Sequence, residues 1–109
     1  MIHANIIRNG KVIEGFDITG HAGFAKAGED IVCAAVSMLA INTINTLEKL
    51  LKQKFELVED QKKNGGLLQV ALSDEGQNDP AVQLILSSLE LGLRDVEQSY
   101  PKYIKTNIN

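Results

Sequence analysis

At 109 residues, 44% of them apolar, the chain has the size of one domain (residues 1–109) and can bury a core without disulfides or a structural metal. Basic side chains number 11 against 14 acidic ones, a formal charge of −3, which leaves no basic excess to grip the phosphates of DNA or RNA. A single cysteine forbids an internal disulfide. With only two histidines it also argues against a Cys/His zinc site, so neither metal nor cofactor is expected.

Nothing near the start reads as an address. Met1 is followed by Ile2, His3, Ala4 and Asn5, without the basic and apolar regions of a secretory signal. The longest apolar stretch, Ile31 to Ile41, is interrupted only by Ser37 and falls short of the ~20 residues that a bilayer requires. A buried helix, a cytoplasmic location and no membrane partner are the expectations.

The first element reads as a β-hairpin. Ile2 to Arg8 and Lys11 to Thr19 are rich in β-branched residues and flank Asn9-Gly10, the pair suited to a type I′ turn. That turn sets Ile7 opposite Val12 and Ile6 opposite Ile13, and a slip in the alternation suggests a bulge at Gly15. Gly20 to Gly28 holds three glycines beyond the hairpin and reads as a loop. Asp30 is the expected N-cap of a long helix from Ile31 to about Gln53. Its apolar stripe is Val36, Ala40, Ile44, Leu47 and Leu51, widened by Leu39 and Leu50.

A second hairpin is predicted from Phe55 to Asp60 and Leu67 to Leu72, around a polar turn ending in Gly65-Gly66. Asp79-Pro80 reads as a cap followed by proline at the first helical position. The helix it opens carries Val82, Leu86, Leu89, Leu93 and Val96 and ends before Pro101. Tyr103 to Ile108 would add a short edge strand. The order ββαββα(β) predicts an α+β fold, an antiparallel sheet from two hairpins packed against two helices.

The chemistry concentrates between Gly20 and Ser37. With Asp30 as cap, Cys33 falls in the first helical turn, where unpaired N–H groups and the positive end of the macrodipole stabilise a thiolate. His21, twelve positions upstream, is placed to take the thiol proton and return it to an amine leaving group. N–H groups around residues 31–34 would receive an oxyanion. Plainer readings stand beside these: Cys33 as a small buried hydrophobe, His21 as a turn residue, Asp30 as a cap alone, Ser37 bonding the carbonyl one turn back.

Other patterns fail. Gly20-x-x-Gly23 with Gly28 lacks the lysine and hydroxyl of a phosphate loop, and no second cysteine makes a CxxC pair. Glu56, Glu59 and Asp60 read as solvated charges on a strand. His3 is a strand residue without a role.

Gly20-His21-Ala22, followed by Gly28-Glu29-Asp30-Ile31-Val32-Cys33-Ala34-Ala35-Val36-Ser37, resembles the signature of the ribosomal-processing cysteine protease (Prp) family. The order of elements resembles that family across nearly the whole chain. The resemblance implies that Cys33 is the nucleophile and His21 its base, with Asp30 and Ser37 at supporting polar positions. It further implies a bacterial cytoplasmic endopeptidase that removes the N-terminal extension of a large-subunit ribosomal protein, working as a homodimer. Apart from the resemblance, the glycines Gly20, Gly23 and Gly28 and the large Phe24 among small residues suggest a loop that closes on substrate, with Phe24 either covering an apolar side chain or packing onto the core. The alternative is a non-catalytic ribosome-assembly or peptide-docking protein.

Overall fold

The computed structural model describes residues 1–20 and 27–109, the side chains of residues 27–30 and 64 excepted. In chain order the elements are β1 (Ile2–Asn9), β2 (Val12–Thr19), α1 (Ala27–Asn45), β3 (Phe55–Asp60), β4 (Leu67–Leu72), α2 (Asp74–Gln77), α3 (Pro80–Ser99) and β5 (Ile104–Ile108). The strands form one five-stranded sheet, ordered β3-β4-β2-β1-β5. Two antiparallel hairpins join side by side through β2 and β4. The last strand departs from the antiparallel expectation: α3 carries the chain back along the sheet, so β5 enters parallel to β1.

Alternation gives the sheet two unlike faces. Ala4 lies opposite Ile18 and Ile6 opposite Phe16, while Phe16 and Ile18 meet Val70 and Leu68 on the next strand. All six are buried under the helices. The other face is polar. There Asn5 donates to Asp17 Oδ1 (2.7 Å) and accepts from Asn107 Nδ2 (3.3 Å).

The first hairpin turns one residue later than its Asn9-Gly10 pair predicts. Asn9 pairs with Val12 and Arg8 with Ile13, so the connection is Gly10-Lys11, and neither Ile7–Val12 nor Ile6–Ile13 forms. Of that Asn-Gly pair, only Gly10 takes a positive φ (62°), whereas a type I′ turn needs two. Core packing decides the outcome. Ile13 and Phe16 are both fully buried although three residues apart, and strict alternation cannot put both on one face. One extra residue, Glu14, sits between the Arg8–Ile13 and Ile7–Gly15 pairs and resets the parity, a bulge immediately before the expected Gly15. Gln83 of α3 repairs the ladder beside it, accepting from the Ile13 N–H (2.8 Å) and donating to the Ile13 carbonyl (2.9 Å). Gly15 itself faces β4, where a Cβ would overlap the Val70 carbonyl oxygen.

α3 follows its sequence closely. Asp79 Oδ1 accepts from the Ala81 and Val82 N–H groups (2.8 and 3.4 Å), Pro80 opens the helix, and Val82, Leu86, Leu89 and Leu93 are buried. Glu90 binds Arg8 of β1 (2.6 Å) and Arg94 one turn on (3.2 Å). α2, which the pattern reading missed, is one short turn capped by Ser73, whose hydroxyl accepts from Gly76 N–H (3.2 Å).

α1 departs at both ends. It starts at Ala27, so Gly28 lies inside the helix rather than in a loop, and Asp30 is an internal residue rather than the N-cap. After Asn45 the helix widens into a π-turn over Thr46–Leu50 and stops, before the expected Gln53. The wider turn rotates the stripe: Leu47 is fully buried, Leu51 half-buried, and Leu50 is 76% exposed rather than part of the apolar seam. Lys52 then takes a left-handed φ of 53°. α1 and its π-turn give 20 residues, Ile31–Leu50, apolar enough to cross a membrane by length, but Val32, Val36, Ala40, Ile44 and Leu47 pack into the core.

Candidate active site

Cys33 sits on the second turn of α1, half-buried and packed at the margin of the core. Ser37 follows one turn on, and its Oγ lies 4.0 Å from the Cys33 Sγ, within reach of a weak thiol–hydroxyl hydrogen bond. Cys33 packs against the core, as the plain reading of it as a small buried hydrophobe expects, but it is only partly buried. The helix start corrects one part of the electrostatic expectation. With α1 beginning at Ala27, the N–H groups of residues 31–34 point at carbonyls one turn back and are not open to an oxyanion. Cys33 also stands one turn further from the helix end, beyond the steepest part of the dipole field.

The remaining candidate residues divide by position. Asp30 lies one turn before Cys33 on α1, and Gly28 in the helix's first turn. Gly20 follows β2: its φ is 83°, its N–H donates to the Gly66 carbonyl (3.1 Å), and a Cβ there would overlap the Met1 carbonyl. His21, Gly23 and Phe24 lie outside the described residues.

A feature missed by sequence reasoning starts beside Ser37. Between α1 and the β3–β4 end of the sheet runs an open groove with a volume of about 600 Å³. Its floor is apolar, with Val36, Ala40 and Ile44 from the helix and Ile18 and Leu68 from the sheet. Ile41 and Leu57 stand on its walls, 52% and 40% exposed. Asn45, Glu48, Glu59 and Gln61 form the polar rim. The only sequence hint was β3 itself: Leu57 and Glu59 share the core-side parity of Phe55, yet the helix above does not reach them. Ser37 lines one end of this apolar trough and the Cys33 thiol lies one helical turn before it, an arrangement that suits nucleophilic attack on an extended peptide.

The comparisons agree with this chemistry. The family model for the cysteine protease Prp matches residues 1–105. The ribosomal processing cysteine protease Prp of Staphylococcus aureus is 31% identical over 109 residues, 98% of each chain. A Streptococcus mutans crystal structure superposes with a TM-score of 0.91 at 37% identity, over 99% of this chain and 93% of that one. The S. aureus protease carrying a covalently linked product peptide superposes at 0.85 with 28% identity over the whole of both chains. A match of this extent makes the chain a cysteine-type peptidase, and it belongs to the cysteine protease Prp family.

Proposed function

We propose that this chain is an endopeptidase that removes the N-terminal extension of a large-subunit ribosomal protein, with Cys33 as nucleophile and His21 as its base. The observation that carries the proposal is Ser37, which lines an apolar groove and whose Oγ lies 4.0 Å from the Cys33 sulfur. The names of the relatives support a ribosomal protein as substrate.

In this mechanism His21 takes the thiol proton and Cys33 Sγ attacks the scissile carbonyl carbon. The tetrahedral intermediate collapses, the C–N bond breaks, and the departing amine takes the proton from His21. Water, deprotonated by His21, then hydrolyses the thioester and frees the thiol. Ser37 orients the sulfur through its hydroxyl, and Asp30, one turn earlier on the helix, supports that surface. Gly20, Gly23 and Phe24 belong to a substrate-facing segment, while Gly28 acts as a helix residue. The whole of 1–109 is one catalytic unit, cytoplasmic and homodimeric, with no nucleic acid or membrane among its partners. Leu84 and Leu91, exposed on α3, and Met38, exposed on α1, supply apolar surface for the second copy.

The test is cleavage of a peptide spanning the junction of such an extension, followed by mass spectrometry. Cys33→Ser and His21→Ala should each abolish product while keeping the wild-type circular dichroism spectrum. Undiminished cleavage by Cys33→Ser removes Cys33 from the mechanism. Undiminished cleavage by His21→Ala removes the dyad.

A further inference from the structure

Gly20 lies one residue beyond Thr19, the last paired position of β2, and is bonded to His21. Backbone crowds it from both flanks. On the β4 flank its N–H donates to the Gly66 carbonyl (3.1 Å), and a Cβ on Gly65 would touch the Gly20 Cα at 3.4 Å. On the β1 flank a Cβ at Gly20 itself would overlap the Met1 carbonyl oxygen and stand 3.4 Å from the Ile2 Cα. These neighbours cannot swing aside as the end of a side chain can. The Ile2 N–H is held by the Tyr103 carbonyl (2.8 Å), and His3 pairs with Thr19. With a φ of 83°, Gly20 is also in the left-handed region that favours glycine.

Gly10 provides the contrast. Its φ is 62°, yet a Cβ there would meet nothing within 4 Å. The hairpin turn needs only the dihedral, whereas the end of β2 needs the dihedral and the missing side chain together. Ile18, two positions before Gly20, lines the same groove as Ser37. We propose that Gly20 is a positioning residue: by fixing the direction in which the chain leaves β2, it sets where His21 stands relative to the Cys33 sulfur. The inference rests on the reading of His21 as the base of Cys33.

The experiment follows alkylation of Cys33 by iodoacetamide in the native protein, by intact mass, at pH ~6.5 and pH ~9.5. His21→Ala should slow the reaction roughly tenfold or more at the lower pH, where the thiol depends on a base, and little at the higher, where hydroxide suffices. Gly20→Ala should reproduce that profile. The Gly20→Ala/His21→Ala double variant should be no slower than His21→Ala alone, because both changes remove one interaction. Gly10→Ala carries the same kind of backbone strain at the other end of β2, so it should lower the melting temperature and keep the wild-type rate at both pH values.

A second variant avoids the crowded corner. One alanine inserted between Gly20 and His21 leaves Gly20 unchanged and moves the base one residue along the chain. It should keep the wild-type circular dichroism spectrum and show the slow profile. Should Gly20→Ala fail to fold, the insertion decides alone. Equal rates for the wild type and His21→Ala would overturn the base, and the inference with it. A slow His21→Ala beside a fast Gly20→Ala or a fast insertion variant would overturn the positioning role alone. So would a Gly10→Ala as slow as Gly20→Ala, since strain anywhere in the hairpin would then account for the loss.

Discussion

The two long helices lie on one face of the sheet, yet the fold accounts for their surfaces to different degrees. α3 has its start fixed by Asp79, its inner stripe buried from Val82 to Leu93, and its flank tied to the first hairpin through Gln83 and Glu90. α1 is apolar on more sides than the sheet can cover. Val32, Val36, Ala40 and Ile44 face inward, while Ile31, Met38 and Ile41 are more than half exposed. Large apolar side chains are left in water on both helices, Leu84 and Leu91 on α3 among them, but on α1 one of them, Ile41, lines the groove that begins beside Ser37. The cap and the side-chain ties to the first hairpin concentrate on α3, and the groove lining on α1.

The comparison is broken or sharpened by substitution on each side. Gln83→Leu should have the largest effect on stability, about 2 kcal/mol in urea denaturation, because it leaves the Ile13 N–H and carbonyl beside the bulge without partners. A loss under about 0.5 kcal/mol would show that water replaces the amide and that α3 does not hold the hairpin. Asp79→Ala should cost about 1 kcal/mol through loss of the cap at the start of α3, read as a lower melting temperature with unchanged cleavage at room temperature. Ile41→Ser should move stability least, by about 0.5 kcal/mol or less, while lowering kcat/KM for apolar peptides severalfold. If Ile41→Ser destabilised the protein as much as Gln83→Leu, the outer face of α1 would belong to the fold.

The same division governs what could be read from the residues alone. The second hairpin and α3 were legible because strict alternation, the Gly65-Gly66 turn and the Asp79-Pro80 pair leave one local solution, and tertiary packing agrees with it. The first hairpin shows packing overruling turn chemistry, since burying both Ile13 and Phe16 requires the bulge at Glu14 and moves the turn off Asn9. The start of α1 was set too late because Gly28 reads as a loop residue and Asp30 as a cap. An aspartate is equally at home inside the first turn of a helix that starts earlier. Its π-turn has no sequence mark, so Leu50 was given to the wrong face. Cys33 and Ser37 were legible as a pair at helical spacing. The groove was not, because it is a gap between elements far apart in the chain, and no local pattern says that α1 stops short of β3.

The central claim, the proposal that the Cys33 sulfur is the attacking atom, is tested most directly by blocking that sulfur in the folded protein. The native chain is treated with iodoacetamide at pH ~6.5, modification is followed by intact mass, and cleavage of a substrate peptide is measured on the same sample. The account predicts rapid addition of a single carbamidomethyl group at Cys33 and loss of cleavage in proportion to the fraction modified. Fully modified protein that still cuts at the unmodified rate would contradict it.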